Sequence, residues 1–342
     1  MSIHAMLSHA NKRLVRSCCL ILLLTIVASC RKPNEASLPI QSGLTPFEIK
    51  YPFTFPALEI PADNPLTVEG IALGKALYSD PILSNDGRAC ADCHQKSTSF
   101  TTYSVNALAH VNEGWNTKFL WRGGIEGTLE DAMAFEVNDF FKTDIVRLNA
   151  NEAYKAKFKH VYAVETISRK NVAYALAQYL RSLTSVDSRF DRYVRKESMM
   201  TMSELNGFYI FNSEKGECFH CHSLGLFADN AFHNNGIDSV FIGTNAGRYD
   251  VTHNLHDLGK FKTPTLRNIE LTAPYMHDGR YQTLEEVVEH YNSGVKKTAT
   301  IDPIMTLPSF ENGLQLTTQQ KSDLVAFLKT LTDTSFVNNP LH

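Results

Sequence analysis

Two copies of one short motif constrain the fold of this 342-residue chain more than any other feature. Residues 90–94 and 218–222 both have the form Cys-x-x-Cys-His. Two thiols at this spacing can add to the two vinyl groups of one haem, and the adjacent histidine can then ligate the iron. Chance placement of 7 Cys and 13 His would produce roughly 0.005 such motifs. A thiol redox pair does not require the histidine, and zinc needs four ligands from separated segments. The motifs therefore predict two covalent c-type haems.

Each motif assigns two attachment residues and one iron ligand. We call the haem of the first motif haem one and the haem of the second motif haem two. The predicted attachment residues are Cys90 and Cys93 for haem one and Cys218 and Cys221 for haem two, with His94 and His222 as the respective iron ligands.

The amino terminus predicts export. Three basic residues between positions 12 and 16 precede an apolar run over residues 18–27, which is too short to span a bilayer as a mature helix. Val27-Ala28-Ser29-Cys30 follows and resembles a bacterial lipobox, so we expect residues 1–29 to be a lipoprotein signal peptide and Cys30 to carry the lipid. An uncleaved anchor or a simple cleaved signal are the alternatives.

Residues 30–61 hold six prolines and little helical pattern, which indicates an extended tether. The protein is therefore expected in the periplasm or cell envelope, held to a membrane by its lipid alone. Cys18 and Cys19 would leave with the signal peptide, Cys30 would be acylated, and the motif cysteines would bind haem. That distribution leaves no thiol for a disulfide or a zinc site. The net charge of −3 gives no reason to expect a nucleic-acid partner.

The two halves of the chain repeat beyond the haem motifs. Residues 175–184 and 323–332 have similar amphipathic helical patterns, and a Thr-Leu-Glu helix start occurs at Thr128 and again at Thr283. We therefore expect a mostly α fold with two cytochrome-c-like domains, each enclosing one covalently bound haem. The predicted bounds of the domains are 62–190 and 191–342.

The repeat also predicts which side chain faces each iron. His290 or Tyr291, near the end of the second Thr-Leu-Glu helix, could ligate haem two. Counting eight residues from each threonine gives Glu136 in the first half and Tyr291 in the second. A carboxylate is better suited to moving a proton between peroxide oxygens than to ligation, so Glu136 is the predicted acid–base residue. The alternative is that Glu136 is an ordinary solvated helix residue.

The chain resembles the bacterial dihaem cytochrome c peroxidases and the related MauG-type enzymes over roughly residues 66–332. The segments that carry the resemblance are 73–81 with Leu83-Ser84, Trp121, Phe208, Phe211, Gly216, 218–222, 247–249, 261–268 and 271–279. The resemblance implies that haem two passes electrons to a peroxide-reacting haem one, with Trp121 between them. It also implies a distal ligand for haem two, which is Met in typical peroxidases and Tyr in MauG-type enzymes. Tyr291 occupies the matching position.

The first half departs from the family pattern. Val105-Asn106 stands where relatives have Arg-Asn, and the loop after His94 is short. The mobile distal histidine of typical peroxidases is therefore expected to be missing, with His110 as an alternative ligand. The usual distal-pocket residues of the family have no match in this sequence, so Glu136 is the predicted acid–base residue. Asp139 and Asp144 are the alternative candidates.

Relatives hold a calcium ion between their domains, and the matching oxygen donors here are Asn106, Thr272 and Pro274. His277 and Asp278 are expected near the haem edges.

Three functions are compatible with these features. The leading one is reduction of hydrogen peroxide to water by a cytochrome-c peroxidase-like enzyme, with electrons from a small periplasmic cytochrome c or cupredoxin. The second is MauG-like oxidation of a protein or organic substrate through coupled high-valent haems, which Tyr291 favours. The third is a non-enzymatic dihaem electron carrier. The family resemblance also makes a homodimer a candidate assembly.

Overall fold

The computed structural model describes residues 41–102, 106–307 and 313–342. The predicted signal peptide, Cys30, the start of the tether and Val105 lie outside the described residues. The described chain is mostly helical, as expected. No helix within it is long and apolar enough to cross a membrane.

The first half is built from six helices and one small antiparallel hairpin among the described residues. They are α1 Val68–Tyr78, α2 Cys90–Cys93, β1 Lys118–Phe119, β2 Ile125–Glu126, α3 Leu129–Phe135, α4 Ile145–Asn149, α5 Glu152–Tyr162 and α6 Arg169–Ser182.

The second half repeats this plan. Its elements are α7 Arg189–Val194, α8 Met202–Phe211, β3 Phe232–His233, α9 Tyr249–Thr252, β4 Phe261–Lys262, α10 Leu284–Glu289, α11 Thr318–Lys329 and α12 Thr334–Asn338, with β3 and β4 antiparallel.

The predicted Thr-Leu-Glu helix starts are present. Thr128 accepts a hydrogen bond from the Asp131 N–H at 3.2 Å, and Thr283 accepts one from Glu286 at 3.2 Å. Each residue is the N-cap of a capping box, which satisfies otherwise unpaired N–H groups of the first turn. Both helices, α3 and α10, continue directly into a π-helical turn, at residues 136–140 and 290–294.

Each half also contains one close helix crossing at a glycine. A Cβ on Gly74 of α1 would lie 2.0 Å from the Ala175 carbonyl oxygen of α6, and one on Gly207 of α8 would lie 1.9 Å from the Asp323 carbonyl oxygen of α11. Residues 175 and 323 are equivalent in the sequence repeat, so the same close helix crossing occurs in both halves. The helix backbones approach so closely because neither glycine has a side chain.

Gly74→Ala and Gly207→Ala should each lower the free energy of unfolding by about 1–3 kcal/mol, because the added methyl meets backbone that must move. Urea denaturation followed by circular dichroism measures this. Gly124→Ala is the control, since its Cβ would meet only Leu120 Cδ1 at 3.7 Å. Equal stability of the Gly74 variant and the control variant would contradict the close crossing.

Two hydrophobic cores lie in this framework. The first gathers apolar side chains between residues 71 and 183, and the second gathers them between residues 190 and 331. The domain bounds 62–190 and 191–342 stay predictions. The first core also contains Phe336 of the C-terminal helix α12, which is 2% exposed. Nearby, Lys75 Nζ donates to the Pro340 carbonyl at 2.8 Å and Lys96 Nζ to the Asn339 carbonyl at 2.5 Å.

The described part of the proline-rich segment, residues 41–61, has no helix or strand, as its composition indicates. It differs from a free tether, however, because its aromatic side chains pack against the rest of the folded chain. Phe55 is buried, and the Tyr51 and Phe55 rings contact the Trp115 ring edge-on at 5.2 and 5.1 Å. The Arg267 guanidinium lies 4.6 Å from the centre of the Phe55 ring. Proline spacing alone did not reveal these aromatic contacts.

Candidate haem-binding site

Cavity one, of about 580 Å³, is lined by residues of both halves of the chain. His94 faces it from the end of the first Cys-x-x-Cys-His motif, and Glu136 faces it from the π-helical turn after α3. Trp121, Glu113 and Lys262 also line it. The cavity therefore brings a potential iron ligand, two carboxyl groups and a tryptophan to one space.

Cavity two, of about 190 Å³, lies beside the second motif. Cys218, Cys221, His222 and Tyr291 line it together with Trp121. The predicted ligand and attachment residues of haem two thus meet at one cavity.

The two motif histidines are oriented in the same way. His94 Nδ1 donates to the Phe100 carbonyl at 2.9 Å, and His222 Nδ1 donates to the Phe227 carbonyl at 2.9 Å. A proton held on Nδ1 leaves Nε2 as the nitrogen for a metal. Burial lowers the pKa of both histidines, to about 4 for His94, so both are neutral, as ligation requires.

The two carbonyl acceptors share a rare backbone conformation. Phe100 has φ 61° and Phe227 has φ 53°, although both side chains are buried and neither residue is glycine. Left-handed backbone is disfavoured for a bulky residue and persists where the surroundings enforce it. Both halves therefore use strained backbone to aim the carbonyl at the motif histidine, and no sequence signal indicated it.

The chemistry of both motifs fits c-type haem, with Cys218 and Cys221 lining the cavity of His222 and with Cys90 and Cys93 outside the lining of cavity one. The four motif cysteines form no disulfide, and each motif histidine is neutral with its Nδ1 already bonded. Each motif histidine lines its own cavity.

Tyr291, rather than His290, faces cavity two. The Tyr291 hydroxyl accepts a hydrogen bond from Asn235 Nδ2 at 3.3 Å, and burial raises its pKa to about 12. His290 does not line the cavity, because its Nε2 is bonded to the Asn235 carbonyl at 3.0 Å and its Nδ1 lies 3.4 Å from the Tyr281 hydroxyl. Of the two residues that the sequence offered, Tyr291 is therefore the one that lines cavity two, and its ligation of haem two stays a prediction.

Glu136 differs from a solvated helix residue. It is half-buried, and burial raises the pKa of its carboxyl to about 7. The two alternative acid–base candidates lie outside cavity one. Asp139 is exposed, and Asp144 caps α4 by accepting from the Val146 N–H at 2.9 Å. Of these three acids only Glu136 lines cavity one.

Trp121 lines both cavities. Its Nε1 donates to the Asn106 carbonyl at 2.8 Å, and its own carbonyl accepts from the Lys262 N–H at 2.8 Å. The three residues predicted to bind calcium, Asn106, Thr272 and Pro274, share the wall of cavity one. The Thr272 hydroxyl donates to the Ile269 carbonyl at 3.1 Å. Calcium binding stays a prediction.

His110 cannot ligate the iron opposite His94 in this arrangement. The two rings are stacked, with centroids 3.5 Å apart and planes 14° from parallel. Rings in van der Waals contact leave no room for a porphyrin between them. The stacking therefore argues against the alternative of His110 as a distal ligand, and the expectation that the distal histidine is missing stays a prediction.

His277 lines cavity two, where it stacks on Phe261 at 3.7 Å and its Nε2 bonds to Asn245 Oδ1 at 3.2 Å. Asp278 does not line either cavity and instead pairs with Arg280 at 2.7 Å.

Two buried ionisable residues of cavity one were not singled out from the sequence. Glu113 is 8% exposed, and burial raises its pKa to about 8. Lys262 is 4% exposed, and burial lowers its pKa to about 8. Lys262 belongs to the segment 261–268 that resembles relatives, whereas Glu113 carries no local signal.

Comparison with known proteins agrees with this geometry. Residues 68–199 match the model of the di-haem cytochrome c peroxidase family. The methylamine utilization protein MauG of Methylophilus methylotrophus is 31% identical over 91% of this chain and 94% of its own length. A cytochrome-c peroxidase of Pseudomonas sp. (strain SCT) is 30% identical over 88% of this chain and 93% of its own. The crystal structure of a MauG-like protein associated with microbial copper homeostasis has a TM-score of 0.76 at 32% identity, covering 86% of this chain and 98% of that one.

The fold and these relatives define a peroxidase-type oxidoreductase. The chain belongs to the dihaem cytochrome c peroxidase and MauG family, which confirms the resemblance inferred from its sequence. Membership of this family implies two c-type haems.

Proposed function

We propose that the protein is a dihaem c-type peroxidase that reduces hydrogen peroxide to water with electrons from a periplasmic donor. Cys90, Cys93 and His94 would hold haem one. Haem two would be held by Cys218, Cys221, His222 and Tyr291. When bound, the haem iron supplies the site where peroxide is reduced.

The observation that carries the proposal is the position of Glu136 in the same cavity as His94. Reduction of hydrogen peroxide requires a proton to leave one peroxide oxygen and reach the other. A carboxyl group with a pKa of about 7 exchanges a proton readily near neutral pH, in either direction. Glu136 would therefore accept a proton from one peroxide oxygen and return it to the other, which leaves as water. The remaining oxygen would take two electrons from the donor and two protons to form the second water.

Trp121 supports electron delivery between the two halves. Its ring borders both cavities, and its indole N–H is fixed on the Asn106 carbonyl. A fixed aromatic ring in the shared wall gives electrons a route from the second half to the first. Trp121 is thus the second residue of the catalytic machinery in this proposal.

The proposal also includes a membrane anchor, an electron donor and a calcium site. Lipidation of Cys30 would hold it at a membrane facing the periplasm, where a small cytochrome c or cupredoxin would supply electrons. Asn106, Thr272 and Pro274 would bind calcium through oxygen atoms, the ligands that this ion prefers.

A second function, MauG-like oxidation of a protein or organic substrate, is favoured by Tyr291 at cavity two. A phenolate ligand stabilises oxidised iron, whereas a peroxidase that only relays electrons needs a higher potential at this haem. The MauG-like function therefore favours tyrosine at this position, whereas a simple peroxidase favours a ligand that gives haem two a higher potential.

One set of assays separates these functions from simple electron transfer. Purified holoprotein should consume peroxide with a reduced donor, and cyanide should bind one of its two ferric haems. No peroxide consumption and no cyanide binding would instead indicate an electron carrier. Tyr291→Phe and Tyr291→Met should retain peroxide consumption if the protein is a simple peroxidase. Loss of substrate oxidation in both variants, with peroxide consumption retained, would favour the MauG-like function.

A further inference from the structure

His110 is attached to His94 at three points. The rings stack at 3.5 Å. The Phe100 carbonyl accepts both the His94 Nδ1–H, at 2.9 Å, and the His110 backbone N–H, at 3.2 Å. Tyr78 provides the third link, because its hydroxyl bonds to the His94 carbonyl and to His110 Nδ1, both at 3.1 Å.

The hydrogen bonds of Tyr78 determine how the His110 ring is held. A tyrosine hydroxyl has one proton, and this proton is donated to the His94 carbonyl. The oxygen therefore accepts from His110 Nδ1–H, which sets the proton on that nitrogen. Tyr78 is 2% exposed and belongs to the first core, so the hydroxyl that bonds to His110 Nδ1 is held in a fixed position.

The second half has the same scaffold with a different residue. There the Phe227 carbonyl accepts the His222 Nδ1–H at 2.9 Å and the Leu266 backbone N–H at 3.2 Å. Leu266 is thus the structural equivalent of His110. The equivalence extends two residues further, where Asn112 and Asn268 both have left-handed φ and donate to Leu183 and Leu331 at 3.0 Å.

A stacked ring restricts its neighbour in a way that an aliphatic side chain does not. The Nδ1 bond leaves the imidazole of either motif histidine able to rock about that bond. A parallel ring at 3.5 Å resists this motion because rocking breaks ring-to-ring contact over the whole face. Leucine offers a rounded surface with no preferred plane.

We propose that His110 is a positioning residue that fixes the ring plane of His94 on haem one, making the proximal side of haem one unlike that of haem two. The inference rests on the proposed function insofar as His94 ligates haem one. It assigns His110 a role through contact with the ligand and not through contact with the iron or the peroxide.

The test uses ferric holoprotein and low-temperature electron paramagnetic resonance, which reports the ligand plane of each haem separately. His110→Leu copies the residue of the second half. We expect its haem-one signal to shift and broaden while the haem-two signal stays unchanged. His110→Phe keeps a flat ring and should return the haem-one signal most of the way to that of the parent protein. The reciprocal variant Leu266→His should sharpen the haem-two signal.

Three results would overturn the proposal: an unchanged haem-one signal in His110→Leu, equal shifts at both haems, or a Phe variant no closer to the parent than the Leu variant. A change of haem one from six-coordinate to five-coordinate in both His110 variants would also overturn it, since His110 would then be a ligand. Thermal melting of each variant separates these results from loss of folding. A shifted haem-one signal in a protein without peroxide turnover would overturn the proposed function and leave the positioning role standing.

Discussion

Glu136→Gln is expected to lower kcat for hydrogen peroxide by about 10²–10⁴-fold, the usual contribution of a positioned acid–base group. Glutamine keeps the size of the side chain and its place in cavity one but can neither accept nor return the peroxide proton. Steady-state peroxide consumption measures the loss. Asp139→Asn is the matched control, because Asp139 lies in the same π-helical turn and is exposed. A loss of similar size in the control would contradict the role of Glu136.

The pH profile gives a second readout of the same residue. Burial raises the pKa of Glu136 to about 7, so the carboxylate that accepts the proton is lost as the pH falls below this value. The rate of the parent protein should therefore fall on the acid side with an apparent pKa near 7, and this decrease should be absent in Glu136→Gln. A decrease that persists in the variant would assign the titration to another group.

Arg267→Met is expected to lower the free energy of unfolding by about 3–5 kcal/mol, the usual cost of leaving a buried charge without its partner. Arg267 pairs with Asp191 through two hydrogen bonds, at 2.8 and 2.9 Å, and donates to the Gly225 carbonyl at 2.7 Å. The two side chains are 1% and 6% exposed. Urea denaturation gives the measurement.

Two controls make the interpretation of Arg267→Met specific. Lys155→Met breaks the exposed pair with Glu152, whose atoms lie 3.1 Å apart, and should cost at most about 1 kcal/mol. Replacing both Arg267 and Asp191 with apolar residues should cost less than removing Arg267 alone, because no buried charge remains. A double variant less stable than Arg267→Met would show that charge burial is not the main cost.

The ion pair also has a pH signature. Burial alone would raise the pKa of Asp191, but hydrogen bonds and charge from Arg267 outweigh burial and lower it below 3.8. A carboxylate with a lowered folded pKa stabilises the fold above its unfolded pKa, and this stabilisation is lost as the pH falls through the folded value. The difference in unfolding free energy between the parent protein and Arg267→Met should therefore narrow below pH 3.8.

Much of the site could be predicted because its chemistry is local. A Cys-x-x-Cys-His motif brings its ligands together within one turn, and a threonine N-cap marks the start of a helix three residues before its partner. Counting from Thr128 and Thr283 then gave the residues of the π-helical turns that face the cavities, Glu136 and Tyr291. The positions of these residues depend on short-range geometry that the sequence repeats in both halves.

The features that were missed depend on contacts between distant segments. The stacking of His110 on His94 joins two side chains whose spacing matches no helix or strand periodicity. The left-handed Phe100 and Phe227 are residue types for which propensity argues against that conformation. The contact of Phe55 with Arg267 joins residues more than 200 positions apart. Tertiary packing decides each of these cases.

The position of Phe336 in the first core has a consequence for how the protein is made. During synthesis from the amino terminus, the other residues of the first core, between positions 71 and 183, are made long before residue 336. Lys75 and Lys96 donate to the carbonyls of Pro340 and Asn339, and these two residues are synthesised later still. The first core is therefore complete only after residue 336 has been synthesised. Because Phe336 follows the whole second core in the sequence, the first core depends on both halves of the chain.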